Sequence, residues 1–178
     1  MTVWVALLRA VNVGGVNKLP MADLRDLLQA MGCQGARTYI QSGNAVFRSD
    51  KTAPVLGAGI ADAIHRRFGF RPPVLMLTRA ALAGAVAGTP WREAEPDKVH
   101  LFFMDRDLPR ATGDFLKSLA APGEGYRWQG RTVWLHLPDG LARSRLARRV
   151  MDLPIDVTAR NLRSATAILA LADKLEGA

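Results

Sequence analysis

The sequence predicts an α+β protein of two tandem ferredoxin-like (split βαβ) units, with mixed or antiparallel sheets covered by helices. Short apolar runs typical of strands alternate with longer segments of helical periodicity. The order of these elements starts again near residue 99. Each half also has a hairpin in its middle, and a hairpin between two helices, with a strand at each end, is the order of a split βαβ unit.

The first half is predicted from its periodicity and its capping residues. Pro20 occupies the first position of a helix, Gly32 ends that helix, and Thr78 caps a later short one. Turn-forming residues between two β-rich runs predict the hairpin. The predicted elements are a strand at 3–8, a loop at 12–18, a helix at 20–31, a hairpin at 37–47, a helix at 54–68, a strand at 73–77 and a helix from 78 to 86.

The second half repeats this order. The interval from the proline of a Leu-Pro pair to the turn glutamine is 21 residues from Pro20 to Gln41 and 20 residues from Pro109 to Gln129. This spacing indicates an internal duplication, and a chance similarity of two α/β halves is the alternative. The predicted elements are a strand at 99–104, a helix opened by Pro109, a hairpin at 126–137, a helix at 141–150, a strand at 154–157 and a last helix capped by Thr158 and ending near 175.

The repeat also sets the predicted domain limits. The first ferredoxin-like half is residues 1–88 and the second is residues 98–178, with a connector at 89–97 that contains two prolines. We expect the two halves to form one compact structural unit.

Composition narrows the classes of function. The chain of 178 residues has a net charge of +8 and carries 19 arginines against 5 lysines. Arginine is suited to phosphate recognition, although a genome rich in arginine codons would give the same excess. The single cysteine, Cys33, excludes an internal disulfide. The apolar N-terminal segment lacks a basic leader and a cleavage site, so it is interpreted as a strand of a cytoplasmic protein with no membrane association.

Four segments of the chain are similar to a known family. They are LLRAVNVGGVNKLPMADLRDLL, TYIQSGNAVF, LPDGLARSRL and TARN, and together they resemble the bacterial domain-of-unknown-function 1697 family. The resemblance extends over nearly the whole chain and implies two ferredoxin-like halves with no assigned biochemical activity. The chain departs from the family at Ala10, where glycine is usual, at Leu162, where an aromatic is usual, and at 143–145, where lysine is common.

A first candidate site combines the loop at 12–18 with the turn of the first hairpin. In a split βαβ sheet with right-handed crossovers, the first strand ends at the edge where the hairpin turns, so these segments are expected to lie side by side. The backbone amides of a glycine-rich loop can bind an anion, although asparagine and glycine also shape tight connections without a ligand. The predicted ligand-binding residues are Asn12, Asn17, Lys18, Gln41, Ser42 and Asn44.

A second candidate site is rich in arginine. By the same topology the segments 138–145 and 158–163 are expected to lie side by side, with Arg160 and Arg163 one turn apart on the last helix. Such a surface suits a phosphate or a nucleic-acid backbone, and a solvated helix face is the alternative. The predicted phosphate-binding residues are Arg143, Ser144, Arg145, Arg160 and Asn161.

These sites lead to three hypotheses of function. The first is a module that binds single-stranded nucleic acid or a phosphorylated small molecule. The second is an enzyme acting on a small phosphorylated or amide substrate, and the third is a structural or interaction protein. No catalytic residue, metal ligand set or cofactor motif is recognisable, so no cofactor is predicted. A concave polar pocket would favour the enzyme, and a flat arginine surface would favour the binding module.

Overall fold

The structure is a computed structural model that describes residues 1–177. Contacts divide the chain into two units, the first comprising Met1–Ala83 with the chain from Thr166 onward and the second comprising Gly84–Ala165. The elements are β1 Thr2–Leu8, α1 Met21–Ala30, β2 Gln34–Tyr39, β3 Asn44–Ser49, α2 Ala53–Phe68, β4 Val74–Thr78, α3 Arg79–Ala87, β5 Val99–Met104, α4 Arg110–Ser118, β6 Gly125–Gln129, β7 Thr132–His136, α5 Arg145–Met151, β8 Val157–Asn161 and α6 Leu162–Glu176.

The sheet of the first unit has the strand order β2-β3-β1-β4, and every neighbouring pair is antiparallel. Alternate side chains of a strand point to opposite faces, so one face of this sheet presents apolar residues to α1 and α2. Full burial of a side chain such as Phe47 contributes about 1.5–3 kcal/mol to folding. The principal members of this core are Ala6, Leu8, Leu24, Leu28, Phe47, Leu56, Ile60 and Ile64.

The sheet of the second unit repeats the arrangement with the strand order β6-β7-β5-β8, again antiparallel throughout. Its core includes Phe102, Met104, Leu116, Val133, Leu135, Leu146, Val150 and Val157. The predicted fold class is therefore confirmed, because the chain forms two repeated four-stranded units with helices. Within residues 1–177, no helix is long and apolar enough to cross a bilayer.

The predicted limits of the last strand and the predicted start of the last helix are wrong by about one helical turn. β8 begins at Val157 rather than Pro154, and Thr158 lies inside the strand, buried, instead of capping a helix. Asn161 caps α6, since its Oδ1 accepts a hydrogen bond of 2.9 Å from the Ser164 amide. The pairing of β8 with β5 decides this outcome and overrides the local capping signal of a threonine.

The starts of α3 and α5 also test the capping residues that the sequence predicts. Thr78 caps α3 as predicted, because its Oγ1 accepts a hydrogen bond of 3.1 Å from the Ala81 amide. The helix predicted from residue 141 begins later, since Leu141–Arg143 forms a single 3-10 turn and α5 starts at Arg145. Ser144 separates these two elements and provides the cap for α5.

Candidate functional site

The side chain of Asn12 joins the loop after β1 to the turn of the first hairpin. Its Nδ2 donates to the Leu19 carbonyl and to the Gln41 carbonyl, each at 2.8 Å, and its Oδ1 accepts from the Leu19 amide at 2.8 Å. The predicted proximity of loop and turn is thus confirmed. Both protons of this amide are committed to backbone carbonyls, so Asn12 acts first as a structural clamp.

The other asparagines of this cluster also bind the protein itself. Asn17 donates to the Ala10 carbonyl at 2.9 Å. Asn44 is buried and donates to the Tyr39 carbonyl at 3.1 Å and to Ser42 Oγ at 2.8 Å. The predicted ligand-binding asparagines are therefore brought together, but their donors stabilise the backbone, which favours the scaffold interpretation of these side chains.

The clamp holds a backbone conformation that most residues avoid. Among the described residues, the non-glycine positions with positive φ are Ala10 at 57°, Asn12 at 54°, Asn17 at 50° and Ile40 at 47°. A left-handed conformation costs roughly 1–2 kcal/mol for a residue with a Cβ atom, and it is least favourable for a β-branched residue such as Ile40. All four residues lie in the loop or at the turn that it contacts, so strain is concentrated where the asparagine hydrogen bonds can offset it.

The exposed side chains of this edge are partly apolar. Lys18 and Gln41 are exposed, and so are the aliphatic side chains of Val13, Val16 and Ile40. Val13 and Val16 pair across an isolated β-bridge. Sequence reasoning missed these residues because it weighed only the polar members of the loop. The pair of valines flanking Gly-Gly was the available signal, since a tight turn exposes the residues on either side of it.

The second candidate site has a different character because its arginines on α5 and on the 3-10 turn before it are exposed. Arg148 and Arg149 lie three and four residues after Arg145 along α5, which places both on the same side of the helix as Arg145. Arg143 is exposed on the preceding 3-10 turn. Within residues 1–177, none of these four arginines forms an ion pair with a carboxylate.

An aromatic side chain adjoins these arginines. Phe115 of α4 is 49% exposed, and the guanidinium carbon of Arg149 lies 5.9 Å from its ring centroid. A shallow groove of about 340 Å³ lies here, lined by Phe115, Leu119, Arg145, Arg148, Arg149 and Asp152. Sequence reasoning did not select Phe115, although its place among polar residues of an amphipathic helix was a usable signal. We call these lining residues, together with Arg143, the α5 surface.

The other predicted phosphate-binding residues are committed elsewhere. Ser144 is buried, and its Oγ accepts a hydrogen bond of 3.0 Å from the Ala147 amide as the cap of α5. Arg160 lies on β8 and not, as predicted, on the last helix with Arg163, because β8 extends to Asn161. Its Nη1 donates to Thr158 Oγ1 at 2.9 Å and to the Ala159 carbonyl at 2.7 Å, and burial lowers the pKa of Arg160 to about 10.

The carboxylate of Asp97 accepts hydrogen bonds from Arg163 and Asn161. Arg163 donates two hydrogen bonds to its carboxylate, at 2.8 and 2.9 Å, and Asn161 donates a third at 3.2 Å. The bond from Arg163 is the main reason why the pKa of Asp97 lies below its usual value. β7 and β8 both end beside the start of β5, as the topology predicts. The polar side chains that follow from the end of β8, however, form hydrogen bonds with Asp97 within the protein.

The described part of the chain offers little conventional catalytic machinery. Residues 1–177 contain no group of three or more His, Cys, Asp or Glu side chains that could hold a metal ion. Cys33 is buried, and desolvation raises the pKa of its thiol, which opposes formation of the reactive thiolate. His100 is also buried, and its Nδ1 has no hydrogen-bond partner within the described residues.

The chain is similar to a protein family and to a solved structure. The family model described as "Protein of unknown function (DUF1697)" matches residues 1–134. The chain belongs to this family. No curated protein matches it. The solved structure of the conserved bacterial protein SP0830 from Streptococcus pneumoniae is similar, with a TM-score of 0.76 and 22% identity over 96% of this chain and 98% of that chain. This likeness shows the shared fold.

The clamp generates a prediction about stability. Asn12→Gly removes the side-chain hydrogen bonds but tolerates the positive φ, so we expect it to lower the free energy of unfolding by about 2 kcal/mol. Asn12→Ala should lose about 1 kcal/mol more, because alanine is strained in the left-handed region. Asn17→Gly, which removes one such bond, is the matched control and should lose about 1 kcal/mol. Urea unfolding measures all three, and equal losses in the two Asn12 variants would contradict the role of strain.

The buried His100 generates a prediction about pH. Burial lowers the pKa of His100 from its usual 6.5, while the Lys98 backbone and the charge of Asp97 raise it and the charge of Lys98 lowers it, each to a smaller extent. A lowered pKa in the folded state means that the unfolded chain binds the proton more readily. The contribution of neutral His100 is therefore complete above about pH 6.5 and declines as the pH falls from there through the lower folded pKa.

Urea unfolding at several pH values between about 5 and 8 would detect this dependence. We expect His100→Gln to flatten the fall in the free energy of unfolding below about pH 6.5, whereas His65→Gln at an exposed position should retain it. A profile that is the same in wild type and His100→Gln would show that His100 does not titrate as expected.

Proposed function

We propose that the protein binds single-stranded nucleic acid through the α5 surface. The observation that supports this proposal is the group of exposed arginines on α5, which lack carboxylate partners within residues 1–177 and lie beside an exposed phenylalanine. Each arginine can donate two parallel hydrogen bonds to phosphate oxygens. The net charge of +8 adds a long-range attraction for any polyanion.

The spacing of the arginines favours a bound anion. Like charges at i,i+3 and i,i+4 destabilise a helix by roughly 0.2–0.5 kcal/mol per pair, and Arg145 forms both spacings with Arg148 and Arg149. Asp152 lines the same groove, but its carboxylate makes no ion pair with these residues within the described chain. A phosphate backbone along α5 would relieve this repulsion.

The exposed ring of Phe115 favours an unpaired strand over a duplex. Proteins that bind single strands combine a basic groove with aromatic side chains on which bases stack, and each stacked base is worth about 1–3 kcal/mol. Arg149 lies over one part of the ring, and about half of the phenylalanine remains exposed. Bases in a duplex are not available for such stacking.

The enzymatic alternative has less support from the same geometry. In the loop at 12–18 and the turn at 41–44, the asparagine amides donate to backbone carbonyls, so these donors are already used within the protein. A small phosphorylated ligand remains the second candidate for the α5 surface itself, because its groove of about 340 Å³ also fits one nucleotide.

A titration of labelled single-stranded RNA and DNA at several salt concentrations tests the proposal. We expect binding to weaken steeply between about 50 and 200 mM salt. Arg145→Glu/Arg149→Glu should weaken it at least tenfold and reduce the slope of log Kd against log salt by about 1.4, since each single-strand phosphate contact contributes roughly 0.7. Phe115→Ala should weaken binding by roughly tenfold while leaving the salt slope unchanged.

The matched control is Arg66→Glu/Lys174→Glu, which makes the same change in net charge at exposed positions outside the α5 surface. If this control weakens binding as much as the α5 double variant, the attraction is a property of net charge and the proposal fails. Competition by a single nucleoside monophosphate at concentrations comparable to those of the oligonucleotide would instead favour the small phosphorylated ligand.

A further inference from the structure

A groove of about 760 Å³ lies between α1 and β2 in the first unit. Its lining is polar and includes Arg25 and Gln29 of α1 together with Gln34 and Arg37 of β2. No residue of this groove belongs to the α5 surface. We call it the β2 groove.

The corresponding place in the second unit is filled by aromatic side chains. Trp128 of β6 packs on Gly113 of α4, where an added Cβ would lie 2.4 Å from the indole. Tyr126 lies two residues earlier on the same strand face, and its hydroxyl donates to the Gly113 carbonyl at 3.0 Å. The space between helix and edge strand is therefore closed in the second unit.

The strand registers identify the equivalent residues of the first unit. Trp128 pairs with Val133 in the second hairpin as Thr38 pairs with Ala45 in the first, so Thr38 occupies the position of the tryptophan. Ala36, two residues earlier, occupies the position of Tyr126. Ala36 lines the β2 groove, and its small side chain leaves open the space that Tyr126 fills in the second unit.

The strand that borders this groove has a free edge. β2 is the outermost strand of its sheet, and within residues 1–177 no other strand pairs with its outer side. The hydrogen bond from the Leu8 amide to the Gly43 carbonyl shows which residues of β3 direct their backbone groups toward β1. In an antiparallel sheet, successive residues direct these groups to opposite sides of the strand, so the same rule gives the direction for each residue of β2. By that alternation the backbone groups of Ala36 and Thr38 face outward, so they can pair with an added strand.

The charges along the groove select an acidic occupant. Arg25 and Arg37 line it against a single carboxylate, Asp26. Nη1 of Arg25 donates to Thr38 Oγ1 at 2.7 Å, which holds a guanidinium beside the strand edge. A register shift between Gln34 and Arg37 interrupts the regular strand at its start, and such a bulge discourages indiscriminate pairing along the whole edge.

We propose that an extended acidic peptide binds in the β2 groove as an additional strand on β2. Its backbone pairs with the outward-facing groups of Ala36 and Thr38, and its carboxylates bind Arg25 and Arg37. Main-chain bonds supply affinity in this mode of recognition, and the side-chain contacts supply specificity. The inference is independent of nucleic-acid binding, because it concerns different elements and a different ligand.

Fluorescence anisotropy with a short, terminally blocked peptide of consecutive glutamates around a central valine tests this inference, since carboxylates on both faces of the added strand are needed to reach Arg25 and Arg37. We expect saturable binding of this peptide and no binding of the version with lysine in place of glutamate. Arg25→Ala/Arg37→Ala should weaken binding by roughly tenfold, and Arg66→Ala/Lys174→Ala, the matched control, should not. A peptide of the same charge with proline at a central valine should bind at least about tenfold more weakly, because proline cannot donate to a ladder.

Ala36→Tyr introduces the residue found at the equivalent position of the second unit and should abolish binding by filling the groove. Hydrogen exchange of the wild-type chain provides a readout that needs no variant, since the amides of Ala36 and Thr38 should become protected when the peptide is added. Equal binding of the proline-containing peptide, or unchanged exchange at these two amides, would overturn the inference. A dimer of the free protein that is lost in Ala36→Tyr would also overturn it, because a second copy would then be the occupant of this edge.

Discussion

The hydrogen bonding of a central strand on both sides is the constraint on which the rest of this structure depends. β1 and β5 each pair with a hairpin strand on one side and with the last strand of the unit on the other. This pairing brings Asn12 to the Gln41 carbonyl, and it moves the start of the last helix from Thr158 to Asn161. The first candidate site and the end of β8 are therefore consequences of register rather than of local sequence preference.

Sequence reasoning succeeded where a local signal and the topology agree. β5 has the predicted limits, Thr78 caps its helix, and the loop after β1 lies beside the hairpin turn. It failed at β8, because the capping signal of Thr158 was stronger locally than the strand pairing that buries this residue. Phe115 and the β2 groove were also missed, since their accessibility depends on which helix and strand face solvent, and periodicity alone does not specify this.

The two predicted sites differ in how their hydrogen-bond donors are used. In the first site the amides of Asn12, Asn17 and Asn44 bind backbone carbonyls, and they offset the strain of residues held at positive φ. On α5 the guanidinium groups of Arg145 and Arg148 form no ion pair with a carboxylate of residues 1–177. A polar cluster in this sequence thus has two distinct physical meanings, and only the three-dimensional contacts separate side chains that hold the backbone from side chains that are exposed.

Photochemical cross-linking of a single-stranded oligonucleotide to the full chain, with the linked peptides identified by mass spectrometry, would locate the nucleic acid most directly. Binding at the α5 surface predicts cross-links in the peptides of α4 and α5, with Phe115 as the foremost site because bases are expected to stack on its ring. Cross-links confined to the loop at 12–18 or the turn at 41–44 would contradict that placement and would return the polar cluster of the first unit to the role of ligand site.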